Sequence, residues 1–194
     1  MARPRSDEKK AAILAAATEA IAADGLSVPT ASIAKRAGVA SGSVFVYFET
    51  KAVLLNELYV QLKAEMGSVA VAGLAGDGST REQLRHMWSQ WLGWATANPQ
   101  KRRALAQLEV ADEVSEDSHR LVQTSQRAMA ELVERARAGG PLAVAPLGFV
   151  LSLTSAMADA TMDAMIREPE AAEARGDAAF EAIWRVLAGV ESDA

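Results

Sequence analysis

Apolar residues recur along this chain at intervals of three and four, and the recurrence breaks at glycines and prolines, so the pattern predicts helices with no competing strand signal. The breaks crowd most closely in residues 26–51, LSVPTASIAKRAGVASGSVFVYFETK. There Thr30 is expected to cap a short helix in which Ile33, Ala34 and Ala37 share one face. Gly38 stands where the chain must turn out of that helix, a place that favours positive φ, and Val39 follows as a small apolar plug. Ser41 is expected to cap a second short helix, with Val44 and Phe48 facing inward and Gly42, Ser43, Val46 and Tyr47 left outward. Thr50 then caps a long helix that opens at Lys51 and carries Val53, Leu54, Leu55, Leu58, Leu62 and Met66, with Ala72 as its far limit.

Beyond it, the glycines of GLAGDGS, residues 73–79, predict a hinge loop. Thr80 with Gln83 resembles a capping box, opening a helix through Leu84, Met87, Trp88, Trp91, Leu92 and Ala95 to Asn98-Pro99. Pro99 starts another helix through Leu105, Leu108 and Val110 that ends near Ser115. A longer one is expected from Glu116 through Leu121, Val122, Met129, Leu132 and Val133 to Gly139-Gly140-Pro141. Two last segments, roughly 143–167 and 175–190, are parted by Glu168-Pro169. The expected fold is all-α with about nine helices: a three-helix domain over 1–50, a connecting helix over 51–72 and a larger helical domain over 80–194.

Composition supports that reading without adding a function. The 194 residues suffice for one or two small domains, half are hydrophobic, and alanine is abundant. The absence of cysteine excludes disulfides, thiolate metal sites and cysteine nucleophiles, and suits a reducing compartment. MARPRSDEKK is too charged for a signal peptide, and no apolar run approaches the roughly 20 residues that span a bilayer. The expectation is a soluble cytoplasmic protein with no membrane partner.

Two short helices joined by a glycine turn, with a further helix starting at once, make a helix-turn-helix, which points to DNA. The linked residues resemble the DNA-binding domain of the tetracycline-repressor (TetR) family of transcriptional regulators. The likeness rests on Ile13, Leu14, Ala16, Ala17, Ile21 and Gly25 in a first helix, on Thr30 to Val39, and on Ser41 to Lys51. The candidate DNA-contacting set is Thr30, Ser41, Gly42, Ser43, Phe45, Val46, Tyr47 and Lys51, with the Lys51 ammonium placed beside helix N-terminal amides to grip a phosphate. Phe45 departs from the family's usual Tyr and cannot donate a phenolic hydrogen bond. Val46 stands where a polar or aromatic residue is common and offers only apolar contact, for example to a thymine methyl.

A net charge of −5 looks unsuited to DNA until it is divided along the chain. Residues 1–51 carry seven Lys and Arg against five acids, whereas 67–194 carry twelve against eighteen. That asymmetry fits a DNA-facing end and a body that stays off the phosphates.

Both C-terminal segments hold apolar bulk on more than one side, and a second apolar face calls for a second partner, within the subunit or in a twin. The resemblance implies that 146–167 and 176–189 pair with their twins in a homodimer bound to double-stranded DNA at a palindromic operator. Candidates for that interface are Phe149, Leu153, Met157, Phe180, Ile183, Trp184 and Leu187. Trp88, Trp91 and Trp94 recur every third residue, and Met87, Trp88, Trp91, Gln107, Met129, Phe149 and Met157 are candidates to line a pocket for a small apolar or aromatic effector. The same stripe also fits ordinary core. Lys101-Arg102-Arg103 reads as a solvated helix face, and Asp159 with Asp163, lacking a histidine nearby in sequence, does not make a metal site. No nucleophile–base pairing, H-E-x-x-H, phosphate loop or dinucleotide fingerprint is present, so neither a catalytic site nor a cofactor is expected. The function expected is a dimeric repressor released by an effector, the alternative being an effector-independent DNA-binding regulator or activator.

Overall fold

The computed structural model describes residues 3–74 and 78–189, with side chains from Ser6 onward. Among them are ten α-helices, one 3-10 turn and no strand. The helices are α1 Arg3–Asp24, α2 Thr30–Arg36, α3 Ser41–Tyr47, α4 Lys51–Val71, α5 Thr80–Ala97, α6 Pro99–Leu108, α7 Glu116–Ser125, α8 Arg127–Arg137, α9 Leu147–Arg167 and α10 Ala172–Ala188. They form two compact units, residues 1–65 with 98–123 and residues 66–97 with 124–194. This grouping differs from the expected boundaries: α6 packs on α1 and buries Ala104, Leu105 and Leu108, so residues 98–123 belong with the N-terminal helices.

The first unit is built on Ile13, Leu14, Ala17, Ile21, Ile33, Val44, Phe48, Leu54, Leu55 and Leu58, all buried. Gly25, at φ 83°, ends α1 in the left-handed conformation that favours glycine, and its N–H returns to the Ile21 carbonyl at 2.9 Å. The Ile21 carbonyl also accepts from the Gln107 amide at 3.0 Å, which ties α6 to the end of α1. The segment after α6 is held by α4. Asn56 donates to the Glu113 carbonyl at 2.6 Å and accepts from the Ser115 N–H at 2.8 Å and the Ser118 hydroxyl at 2.7 Å. These bonds draw 109–115 into turns, so α6 stops at Leu108 rather than near Ser115. Three further links follow along α4: Tyr59 to His119 Nδ1 at 3.1 Å, Lys63 to Glu109, and Glu65 to Lys101 at 2.6 Å. Burial, aided by the Glu109 charge, pushes the Tyr59 phenol up to about 12, so it remains a neutral hydroxyl. Arg102 is buried, unlike the solvated face expected of the Lys101-Arg102-Arg103 run.

The second unit packs α5, α8, α9 and α10 around Leu84, Met87, Trp88, Trp91, Leu132, Val133, Val150, Met162, Phe180, Ile183 and Leu187. Its first capping box lies one residue earlier than expected. Ser79 donates its N–H to Glu82 at 2.8 Å, and Glu82 returns its own N–H to the Ser79 hydroxyl at 3.3 Å. Hydrogen bonds from Ser79 hold the Glu82 carboxyl below its ordinary range. The hinge loop expected over 73–79 lies partly outside the described residues. The single helix expected from Glu116 is two, α7 and α8, because nothing between Val122 and Leu132 is buried to hold the polar run 123–126 on a core. Arg137 closes α8: its guanidinium pairs with Glu134 at 2.7 Å and donates to the carbonyls of Leu142 at 2.7 Å and Ala145 at 2.5 Å. That turn delays α9 to Leu147. With 21 residues and a mean hydropathy of 1.2, α9 is long and apolar enough to cross a bilayer by length and composition, contrary to the expectation of no such run. Only 28% of its most apolar 18-residue stretch is buried.

Candidate nucleic-acid interface and sensing region

The helix-turn-helix geometry follows from a few local interactions. Gly38 takes φ 67°, and the Val39 N–H reaches back to the Ala34 carbonyl at 3.0 Å to close the turn between α2 and α3. Neither expected hydroxyl cap forms, since each helix starts one residue earlier in its bonding. Pro29 and Ala40 are the capping residues, and their carbonyls accept from Ser32 and Ser43 at 2.9 and 2.8 Å. Thr30 and Ser41 therefore occupy first helical positions with their hydroxyls outside any cap. Thr50 does cap α4, accepting from the Val53 N–H at 3.2 Å.

On α3 the division of faces is the expected one. Val44 and Phe48 are buried, Gly42 is exposed, Ser43 and Tyr47 are half-buried, Phe45 is 51% exposed and Val46 80% exposed. Around this helix most described cations are engaged internally. Lys10 pairs with Glu57 at 2.5 Å and lies 5.6 Å over the Phe48 ring, and Arg36 pairs with Asp24 at 2.6 Å. Lys51, expected to grip a phosphate, instead donates to the Leu26 carbonyl at 2.5 Å and ties the α1–α2 connection to the start of α4. Lys9 and Lys35 are the exposed lysines of this segment that carry no ion pair or hydrogen bond among the described residues. The sequence reading did not single out Lys35. Its position in the last turn of α2 was the available signal.

The candidate sensing residues are brought together only in part. Met87, Trp88, Trp91 and Trp94 are buried in the second unit, with Trp88 and Trp91 edge to face at 6.4 Å. The Trp88 N–H donates to the Gly176 carbonyl at 3.1 Å and the Trp91 N–H to the Met66 sulfur at 2.7 Å. Met129 and Met157 are half-buried, and Phe149 is exposed. Gln107 belongs to the first unit and is committed to Ile21, so it does not join them. The second unit has an open cleft of about 550 Å³ elsewhere, lined by Arg127, Ala130, Glu131, Glu134, Arg135 and Leu147. No cluster of His, Asp and Glu suited to a metal ion occurs among the described residues.

The candidate pairing surface needs correction. Phe180, Ile183 and Leu187 are buried in their own unit and withdrawn from any partner, while Trp184 is half-buried and stacks on Phe180 at 6.4 Å. What α9 turns outward is Phe149 beside a row of small residues four apart, Gly148, Ser152, Ala156 and Ala160. On α10 the outward row is Ala178, Ala182 and Val186.

Residues 13–58 match the family described as bacterial regulatory proteins, tetR family. Across nearly its whole length the chain is similar to a protein from Shewanella sp. PV-4 assigned to tetR family transcription regulators, with 27% identity, a TM-score of 0.84, and coverage of 92% of this chain and 97% of that one. A TetR family transcription regulator from Marinobacter aquaeolei VT8 shares the fold at 19% identity and a TM-score of 0.85, over 95% and 98% of the two chains. So does the transcriptional regulator FadR from Bacillus subtilis, solved in complex with stearoyl-CoA, at 15% identity and a TM-score of 0.70, over 93% and 99%.

Proposed function

We propose that this chain, whose residues 13–58 match the tetR family of bacterial regulatory proteins, acts as a TetR family transcriptional regulator and that it is a dimeric, cytoplasmic repressor released from a palindromic operator by an apolar effector. The observation that carries the DNA reading is the outward face of α3, with Gly42, Ser43, Phe45 and Val46 presented on a helix whose other side is fixed by Val44 and Phe48. Thr30, Ser41 and Tyr47 flank that face and supply hydroxyls for the phosphate backbone. Lys35, exposed and uncommitted like Lys9 but placed within the helix-turn-helix itself, is the phosphate cation of this reading, while Lys51 positions α4.

Salt dependence separates those two lysines. Lys35→Ala is expected to weaken binding about equally on all sequences and to reduce the slope of log affinity against log salt by about 0.9, the change for one lost phosphate contact. Lys51→Met is expected to leave that slope unchanged and to lower stability by about 1 kcal/mol through loss of the Leu26 hydrogen bond. The reverse pattern in a titration over several salt concentrations would return Lys51 to the interface.

The effector is placed in the second unit, near Met87, Trp88 and Trp91. Both indole N–H groups already have partners, so an entering ligand finds soft apolar surface rather than free indole donors. The stearoyl-CoA complex of the Bacillus subtilis neighbour supports an acyl chain as the first class to try. All four tryptophans lie in this unit, so their fluorescence reports it alone. A ligand that changes it is expected to lower operator affinity by about 1 to 3 kcal/mol, and bound operator must weaken the ligand by the same factor. The packing of the indoles favours one second reading, an effector-independent regulator. Ligands that perturb the fluorescence while leaving operator affinity untouched would select it.

A further inference from the structure

Gly42 is an unexplained weakness in α3. A glycine inside a helix costs about 1 kcal/mol relative to alanine. It is kept where φ must be positive or where a neighbour leaves no space for a Cβ. Neither reason holds, because Gly42 is absent from the positive-φ glycines and a Cβ built on it meets nothing within 4 Å. No contact within the subunit calls for a bare backbone there, and Gly42 shares that with Gly67, Gly93 and Gly148, but it alone of these lies on α3. Phe45 and Val46 stand three and four residues further on, the spacings that put side chains on one helix face, and helical side chains lean toward the N-terminus. Two exposed apolar side chains therefore share a helix face with an exposed glycine, and with nothing within 4 Å of where its Cβ would stand they leave a notch with a peptide floor and hydrocarbon on its C-terminal side.

The rest of α3 is as telling. Ser41-Gly42-Ser43-Val44-Phe45-Val46-Tyr47 contains no Arg, Lys, Asn, Gln, Asp or Glu. Those are the side chains that single out guanine, adenine or cytosine by hydrogen bonds in the major groove, the first four of them bidentately, whereas Ser41 and Ser43 can bond a base edge without that selectivity. The one apolar group a base pair offers in that groove is the thymine C5-methyl.

We propose that Gly42, Phe45 and Val46 form a notch that receives a thymine C5-methyl, so that the half-site is selected by methyl contact and not by bidentate hydrogen bonding. This rests on the DNA-binding reading above and names the feature being read. Gly42 lets the backbone approach the base edge, and Phe45 and Val46 bury the methyl between them. Phosphate contacts supply affinity and register but no choice of base.

The test starts with the full-length protein and a randomised duplex pool. Failure to enrich any sequence would sink the DNA-binding reading itself. With an enriched site in hand, each thymine is replaced singly by deoxyuridine, which removes the methyl and keeps every hydrogen-bonding group. One position per half-site is expected to lose about fourfold in affinity, the factor for one buried carbon. At that position Val46→Ala should bind thymine and uracil equally. Gly42→Ala, relieved of the glycine cost, should melt no lower than the wild type and still lose the preference. Retention of affinity within twofold at every uracil, or an undiminished uracil penalty in Val46→Ala, overturns the notch.

Discussion

Replacing Gly140 with alanine is expected to destabilise the second unit strongly, because a Cβ there meets the closest obstruction found at any glycine compared among the described residues. A Cβ at that position would stand 1.7 Å from the Leu187 carbonyl oxygen and 2.7 Å from its carbon. Both are backbone atoms of α10, so no rotamer change relieves the overlap. The turn cannot retreat easily either. Its far side is held by Arg137 on the carbonyls of Leu142 and Ala145, and Pro141 lies 3.5 Å from where a Cβ on Gly189 would sit. Overpacking of this kind costs about 3 kcal/mol, and for a chain of this size the melting temperature should fall by about 6 to 12 °C. Gly139→Ala is the internal control. A Cβ there meets nothing within 4 Å, so the variant should melt within about 2 °C of the wild type, as a surface change does. Equal melting of the two variants by circular dichroism would show that α10 does not seat against this turn.

Gly140 also marks the limit of what the pattern of residues reveals. A glycine pair before a proline announces a helix end, and α8 does end there, but the demand for a missing side chain comes from Leu187, far along the chain. Local signals were read well where the cause is local. The Gly38 turn, the inward Val44 and Phe48, and the Thr50 cap all depend on neighbours within one helical turn. The displaced caps share one cause. At Thr30, Ser41 and Thr80 a hydroxyl residue is the expected cap, whereas the first carbonyl to accept belongs to the residue before it, Pro29, Ala40 or Ser79. The place of Lys51 at a helix start points to phosphate, and the Leu26 carbonyl that claims it comes within reach only once α1 and α4 are brought together. In α10 the periodicity showed two apolar faces without saying which one the subunit would keep. Bulk suggests the partner's face, yet Phe180, Ile183 and Leu187 fill the subunit's own core, and the smaller Ala178, Ala182 and Val186 face out.

That inversion gives the second large expected effect, on pairing and on operator binding together. Small residues four apart let two helices approach closely along their ridges, so the rows on α9 and α10 suit the matching rows of a second copy. The surrounding chemistry favours the same occupant. Phe149 is 54% exposed and Leu153 half-buried beside the α9 row, an apolar edge that a lone subunit leaves in water. Asp163 and Arg167 lie exposed in the last part of α9, where the rim of a protein interface tolerates charge and the interior of a bilayer does not. Ala156 and Ala182 are exposed, so with glutamate at both positions the helical content and thermal unfolding of the lone chain should survive. Pairing should not, because two copies would bury like charges at close range. Without the second recognition helix, operator affinity should drop by about a hundredfold or more, the gain that tethering two sites confers. Phe180→Asp should lose operator binding too, but by unfolding the second unit, visible as lost helicity at moderate temperature. Sedimentation velocity beside operator titration decides the matter. If the doubly substituted chain still sediments as a dimer and binds operator as the wild type does, the small-residue rows face solvent and the subunits pair elsewhere.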